Sequence, residues 1–167
     1  MEISTIQIKE LRDKTGAGIM DCRKALLEAE GDLDKASIII KEQAILVVQK
    51  KADREAKAGV VDAYVHTGGR VGAMVELNCE TDFVARNEEF KELAHNLAMQ
   101  IAAQNPQFIC EEDIPEGTEC EPDVDCLLSQ PYIRDTSATI NDVITETIAK
   151  FGENIKVSRF ARFELGC

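Results

Sequence analysis

The chain has 167 residues, of which 19 are Lys or Arg and 31 are Asp or Glu, so its formal net charge at pH 7 is −12. Phosphate contacts need clustered basic side chains, so this acidic balance argues against DNA or RNA as a direct partner. It argues equally against an anionic membrane surface. The apolar content of 44% supplies a core, which must be aliphatic because aromatic residues make up only 5%. The length fits one medium domain or two small ones.

The sequence shows no secretory signal and no apolar run of membrane length, which predicts a cytoplasmic protein. Its six cysteines are therefore expected to be free thiols, because the cytosol is reducing. The closest of them, Cys110, Cys120 and Cys126, lack the Cys-x-x-Cys spacing of a zinc site. We predict no metal ligands in this chain.

The first fifty residues have the spacing of three short helices. The first helix is expected to begin at the capping-box pattern Ser4–Gln7 and to end near Gly16. A second helix spans about Met20 to Ala29, and Asp32 is a suitable N-cap for a third. Three helices of this size predict a small bundle, which we assign to residues 1–48.

The apolar pattern changes from helical to alternating after a charged segment, 49–57, which is a linker or a solvated extension of the third helix. Two β-branched segments flank Gly68-Gly69, which is typical of a hairpin turn. After the hairpin we expect a helix capped by Asn87 and then an exposed loop over Glu111–Asp125, which carries eight carboxylates. A helix over about Asn141–Lys150 follows, and the last element is a strand over 154–165 with a bulge. The order β-β-α-α-β over 58–167 predicts an α+β fold, with a small antiparallel sheet covered by helices.

No pattern in the sequence is typical of a catalytic site. The glycines of Gly16-Ala17-Gly18 follow a helix and lack the Lys of a phosphate-binding loop. Glu92 and His95 supply only one of the two Glu-x-x-His pairs that a di-metal bundle needs. We predict no catalytic residue and no cofactor.

Two segments place apolar side chains where a core is hard to reach. Ile19 and Met20 follow a Gly-x-Gly loop: either one is a core residue and the other is incidentally exposed, or the pair forms a docking ledge. Asp82 and Phe83 lie between the end of a strand and the cap of a helix. Either Asp82 is a turn carboxylate and Phe83 a core plug, or the two form a wedge that enters a pocket of a partner.

Both segments belong to longer motifs that resemble a known family. The segment Leu11–Leu26 (LRDKTGAGIMDCRKAL) resembles the N-terminal module of translation elongation factor Ts, and Val75–Asn87 (VELNCETDFVARN) resembles the core signature of that family. A third match covers Ile148–Ile155, with Arg159-Phe160 close behind. The matches follow the family order over nearly the whole chain, and the thirteen-residue signature is highly specific.

The resemblance implies a guanine-nucleotide exchange factor for elongation factor Tu (EF-Tu) that binds no GDP or GTP itself. It implies that the bundle resembles ubiquitin-associated (UBA) domains and docks on the GTPase domain of EF-Tu. The implied docking residues are Leu11, Ile19 and Met20. The core signature would approach the nucleotide and dislodge the Mg²⁺ that holds GDP. The residues implied in this step are Thr81, Asp82, Phe83 and Val84.

Longer members of the family carry a second core subdomain and a helical-hairpin insertion, and neither is present here. The chain resembles the short form, in which two copies pair, so we expect a homodimer that binds two EF-Tu molecules. Two other functions remain open: an adaptor that binds a protein without catalysing exchange, and a thiol enzyme that uses one of the cysteines.

Overall fold

The structure, a computed structural model, describes residues 3–167. It divides the chain into two compact units. One contains the residues up to Arg54 together with Thr145–Asn154, and the other contains Glu55–Ile144 with Ile155–Cys167. The segment Thr145–Asn154 thus belongs to the first unit, whereas the order of the predicted elements places it in the second domain.

Hydrogen bonds to the end of the third helix explain this assignment. The side-chain amide of Asn154 donates to the carbonyl oxygens of Ala52 (3.3 Å) and Arg54 (2.7 Å). The ammonium group of Lys51 donates to the carbonyl oxygen of Gly152. Such contacts join positions about a hundred residues apart, which no local sequence pattern can indicate.

The first unit is built on three helices, as the spacing predicts. They are α1 (Thr5–Thr15), α2 (Ile19–Glu28) and α3 (Leu33–Lys51). The backbone N–H of Gln7 donates to Ser4 Oγ (3.2 Å) and that of Ser4 to Gln7 Oε1 (3.1 Å), which completes the expected capping box. The carboxylate of Asp32 caps α3. The core of this unit is formed by Leu11, Cys22, Ala25, Leu26, Ala29, Ala36 and Ile40.

The second unit contains a three-stranded antiparallel sheet. Its strands are β1 (Ala58–Val65), β2 (Val71–Cys79) and β5 (Lys156–Glu164), and β2 lies between the other two. The register between β2 and β5 shifts after Glu76, which confirms the expected bulge. One face of β2, with Ala73, Val75 and Leu77, is buried, and helix α5 (Glu88–Gln104) packs against β1 and β2. The mixed helix and sheet layout confirms the predicted α+β fold.

The segment between α5 and the last helix is more ordered than the loop that the sequence predicts. It contains a one-turn helix, α6 (Pro122–Asp125), two 3₁₀ turns (Glu111–Asp113 and Leu127–Ser129) and a small hairpin of β3 (Pro131–Tyr132) and β4 (Asp135–Thr139). Helix α7 (Ile140–Phe151) follows. The hairpin was missed because a two-residue strand shows no alternation of its own.

A buried pair of glutamines holds this segment against α5. The side-chain amide of Gln100 donates to Gln130 Oε1 and to the carbonyl oxygen of Pro131, both at 3.1 Å, and Gln100 Oε1 accepts from the N–H of Ile133 (2.9 Å). Both glutamines are buried, so these hydrogen bonds replace the ones that each amide makes to water in the unfolded chain. The β3–β4 hairpin is therefore positioned by side chains rather than by the main sheet.

Candidate protein-interaction sites

Ile19 and Met20 form an exposed ledge at the start of α2. Helix α1 ends at Thr15, its C-cap Gly16 has a left-handed φ of 68°, and α2 begins after the N-cap Gly18. The inward side of α2 is taken by Cys22, Ala25 and Leu26. Ile19 and Met20 are consequently 55% and 58% exposed. The alternative in which one of them fills the core is wrong.

The loop before the ledge is held by hydrogen bonds within the unit. Thr15 Oγ1 donates to the carbonyl oxygen of Leu11 (2.7 Å) and accepts from the N–H of Ala17 (3.4 Å). The thiol of Cys22 donates to the carbonyl oxygen of Ala17 (3.7 Å). A ledge fixed in this way loses little conformational freedom when a partner covers it. The resemblance implies that Leu11 is a docking residue. Its side chain is fully buried in the bundle core, and its carbonyl oxygen accepts the hydrogen bond from Thr15.

Asp82 and Phe83 form the second site, the wedge. Strand β2 ends at Cys79, and one turn of helix, α4 (Asp82–Ala85), follows the N-cap Thr81. Phe83 is 89% exposed, the highest value of any large apolar side chain in the described part of the molecule. The alternative in which Phe83 plugs the core is therefore wrong.

The wedge projects because its neighbours in α4 face the other way. Val84 and Ala85 are buried, and the carbonyl oxygen of Val84 accepts from the N–H of Asn87 (2.9 Å). The thiol of Cys79 donates to the carbonyl oxygen of Thr81 (3.2 Å), which ties the other end of the turn to β2. Of the four residues in the implied exchange site, Thr81, Asp82 and Phe83 are exposed, and Val84 anchors them.

The carboxylate of Asp82 lies 3.7 Å from the guanidinium of Arg86, and both side chains are largely exposed. Solvent-exposed pairs of this kind contribute at most about 1 kcal/mol. The carboxylate can therefore exchange Arg86 for a charged or hydrogen-bonding group of a partner at small energetic cost.

A third apolar surface, the open face of the sheet, was missed by sequence reasoning. It lies on the side of the sheet opposite to α5. Its exposed large apolar side chains are Val61, Val65, Met74 and Phe163, with Leu165 just beyond β5. The sequence contains the signal for this surface, because β1 and β5 carry apolar residues on both faces of the sheet. A face in contact with solvent is normally polar.

Comparison with known proteins agrees with these motifs. The family model described as Elongation factor TS matches residues 27–121. Proteins named Elongation factor Ts from Thermodesulfovibrio yellowstonii and Thermotoga neapolitana are 47% and 46% identical, and each alignment covers 99% of this chain and 98% of the relative. The relative from Thermoanaerobacter pseudethanolicus is 46% identical over 98% of this chain and 95% of its own length.

The chain belongs to the elongation factor Ts family. It is thus a translation elongation factor, and the predicted family membership is confirmed. No helix within residues 3–167 combines the length and the apolar character needed to span a membrane. The alignment with the Thermoanaerobacter relative spans 194 positions against 167 residues in this chain, so at least 27 positions of the relative have no counterpart here.

Proposed function

We propose that this elongation factor Ts homologue is a guanine-nucleotide exchange factor that binds EF-Tu·GDP, dislodges Mg²⁺ and promotes GDP release. The observation that carries the proposal is the wedge: Phe83 is 89% exposed beside a carboxylate, on a turn anchored to the sheet. An exposed phenylalanine on a fixed turn is suited to enter a preformed pocket, because little entropy is lost on binding.

The chemistry of the nucleotide site explains how such a wedge works. Mg²⁺ neutralises charge on the phosphates of a bound nucleotide, so its displacement weakens GDP binding. A protein that binds nucleotide-free EF-Tu more tightly than EF-Tu·GDP must lower the affinity of EF-Tu for GDP. By linkage, GDP lowers the affinity of EF-Tu for that protein by the same factor. The exchange factor then needs no active site, no cofactor and no nucleotide site of its own.

The first unit supplies the docking site in this proposal. The residues up to about 48 act as a UBA-like module, whose ledge of Ile19 and Met20 packs on the GTPase domain of EF-Tu, with Leu11 as its support. Residues 58–167 act as the exchange and dimerisation domain, and 49–57 connect the two. The protein acts in the cytoplasm and makes no direct contact with nucleic acid.

The open face of the sheet supports the proposed homodimer. Two copies related by a two-fold axis bring the same patch together, so an apolar patch is complementary to itself. The charged pair on this face is internally neutral, because Arg159 Nε donates to Glu76 Oε2 at 2.6 Å. This pair therefore adds no net charge to the surface that a second copy would meet.

Release of labelled GDP from EF-Tu, chased with excess unlabelled GDP, tests the proposed exchange activity. We expect the full chain to accelerate release at substoichiometric concentration, because each molecule dissociates and acts again. Tight binding to EF-Tu with an unchanged rate of GDP release would instead identify an adaptor. Loss of the acceleration in a cysteine-free variant that remains folded would point to thiol chemistry.

A further inference from the structure

The last two residues of β2, Asn78 and Cys79, lead into the wedge, and the proposed function makes no use of them. Both belong to the core signature, which runs from Val75 to Asn87. Asn78 is 8% exposed and Cys79 is fully buried. A buried amide is normally hydrogen-bonded, so the partners of these side chains show what holds the base of the wedge.

The side chain of Asn78 joins all three strands of the sheet. Its Nδ2 group donates to the carbonyl oxygen of Ala58 in β1 (3.1 Å), and its Oδ1 atom accepts from the hydroxyl group of Ser158 in β5. Because β2 lies between β1 and β5, one side chain fastens the end of the central strand to both neighbours. We call this arrangement of Ala58, Asn78 and Ser158 the clamp.

A glycine allows β1 to run close to β2 at the clamp. Gly59 is the partner of Asn78 in the register of the two strands, and its φ of 149° favours glycine. A Cβ atom at this position would lie 2.2 Å from the carbonyl oxygen of Leu77 and 2.8 Å from Cα of Asn78. Both neighbours are backbone atoms, which cannot turn aside as a side chain does. The end of β2 is therefore held at a close, fixed spacing from β1.

The thiol of Cys79 connects the end of β2 to the wedge. It donates to the carbonyl oxygen of Thr81 (3.2 Å), the N-cap residue of α4. The same oxygen accepts from the N–H of Ala85 (3.2 Å), which closes the single turn of this helix. One acceptor thus joins the strand to the turn that projects Phe83. Without the thiol this oxygen would keep its bond to Ala85, so the turn would lose an attachment to β2 and no carbonyl would be left unsatisfied.

We propose that Asn78 and Cys79 are positioning residues of the wedge: the clamp fixes the end of β2, and the thiol fixes the turn of α4 to that end. The inference rests on the proposed exchange function. A group that displaces Mg²⁺ must act at one place in its partner, and a misplacement of about 1 Å can cost on the order of a hundredfold in rate. A loosened wedge therefore lowers the maximal rate of exchange, while docking through the ledge keeps the affinity for EF-Tu nearly unchanged.

The test is stimulated release of labelled GDP from EF-Tu over a range of concentrations of the full chain, which gives a maximal rate and a half-saturating concentration. We expect Cys79→Ala to lower the maximal rate about three- to tenfold and to change the half-saturating concentration by less than about twofold. Cys79→Ser keeps a donor and should restore the rate, which also distinguishes positioning from thiol chemistry. Cys126→Ala is the matched control, because it removes a fully buried sulfur from the same unit outside the signature. Its maximal rate should equal that of the wild type.

Ser158 tests the clamp from an exposed position, where substitution does not disturb the core. Ser158→Ala removes the hydroxyl group that donates to Asn78 Oδ1 and should lower the maximal rate. Ser158→Thr keeps the hydroxyl group and should retain the rate of the wild type. Equal rates in the two variants would show that the clamp does not position the wedge.

Amide hydrogen exchange in the free chain gives a readout that does not involve EF-Tu. The N–H of Ala85 donates to Thr81 and that of Arg86 donates to Asp82 (3.1 Å), so both amides report closure of the turn. We expect both to exchange several-fold faster in Cys79→Ala and at the wild-type rate in Cys79→Ser. The proposal is overturned if Cys79→Ala releases GDP at the wild-type maximal rate, or if Cys79→Ser is as slow as Cys79→Ala.

Failure of the proposed function would look different. A wild-type chain that does not accelerate GDP release would refute the exchange function and with it the kinetic role of both positioning residues. Protection of the two amides would then still decide whether the thiol of Cys79 holds the turn.

Discussion

At the scale of single residues, Phe83 and Val84 are adjacent and have opposite environments. Phe83 leaves its ring in water, although full burial of such a side chain is worth about 1.5–3 kcal/mol, whereas Val84 is buried. The fold therefore gains little from Phe83, while a partner that buries the ring gains that free energy. Substitution of Phe83 should therefore affect partner binding, and substitution of Val84 should affect the stability of the fold.

We expect Phe83→Ala to change the free energy of unfolding by no more than about 0.5 kcal/mol, because the side chain makes few contacts to lose. If the exchange proposal is correct, the same variant slows stimulated GDP release roughly tenfold or more, as truncation of an aromatic anchor does. Val124→Ala is a suitable control, since Val124 is an exposed apolar residue of the same unit outside the signature. Unchanged exchange by folded Phe83→Ala would exclude the wedge.

Val84→Ala should have the opposite profile. It removes buried methyl groups from the inward side of α4 and should lower the free energy of unfolding by about 1–3 kcal/mol in urea titrations. An unfolding free energy equal to that of the wild type would show that α4 is not anchored as described.

At the scale of elements, the start of α2 and the hairpin β3–β4 are positioned by different means. The ledge follows from local signals, a left-handed Gly16 and the N-cap Gly18, and the sequence motif shows both. The hairpin depends on the buried side-chain amide of Gln100, which lies 30 or more residues from its partners along the chain. Substitutions in the first element should alter binding, and substitutions at the amides should alter stability.

For the ledge, we expect Ile19→Ala combined with Met20→Ala to weaken binding to EF-Tu at least tenfold by titration calorimetry, with little effect on unfolding. Ile6→Ala provides the control, because Ile6 is 75% exposed on α1 of the same unit and lies outside the docking motif. An equal loss of affinity in the double variant and in Ile6→Ala would argue for general surface hydrophobicity rather than a defined ledge.

For the hairpin, Gln100→Leu has nearly the same volume as the wild type and removes three hydrogen bonds. It leaves the N–H of Ile133 and the carbonyl oxygen of Pro131 without these partners. We expect the free energy of unfolding to fall by about 1–3 kcal/mol or more, because one unsatisfied buried group alone costs that much. Gln104→Leu at the exposed end of the same helix should be close to neutral, and a similar loss there would contradict the role of the buried network.

At the scale of the whole molecule, the chain is shorter than its relatives and leaves one face of its sheet uncovered. Proteins rarely leave a contiguous apolar patch of this kind in water, and such patches commonly mark protein interfaces. A homodimer through this face would bury the patch against an identical one.

We expect light scattering at micromolar concentration to give twice the mass of one chain. Phe163→Asp should yield a folded monomer, because it places a charge in the middle of the apolar face. The matched substitution Val124→Asp lies outside this face and should leave the dimer intact. A monomer mass for the wild-type chain would refute the proposed homodimer.

The sequence by itself determined the approximate limits of the longer helices, the caps, the central hairpin and the family, because these depend on neighbours within about one turn or on motifs read directly. The sequence predicts the capping residues Ser4, Asp32 and Asn87, and each of them caps the helix that follows it. Local chemistry is sufficient there because a cap satisfies backbone groups only two or three residues away.

Only the tertiary structure decided which apolar side chains are exposed. Leu11 and Ile19 lie in the same motif, yet one is fully buried and the other is on the surface, as are Val84 and Phe83 in the core signature. Burial depends on the elements that pack around a side chain, and these come from distant parts of the sequence. For the same reason the open face of the sheet became visible only when the register of three strands showed which side α5 covers and which side it leaves to solvent.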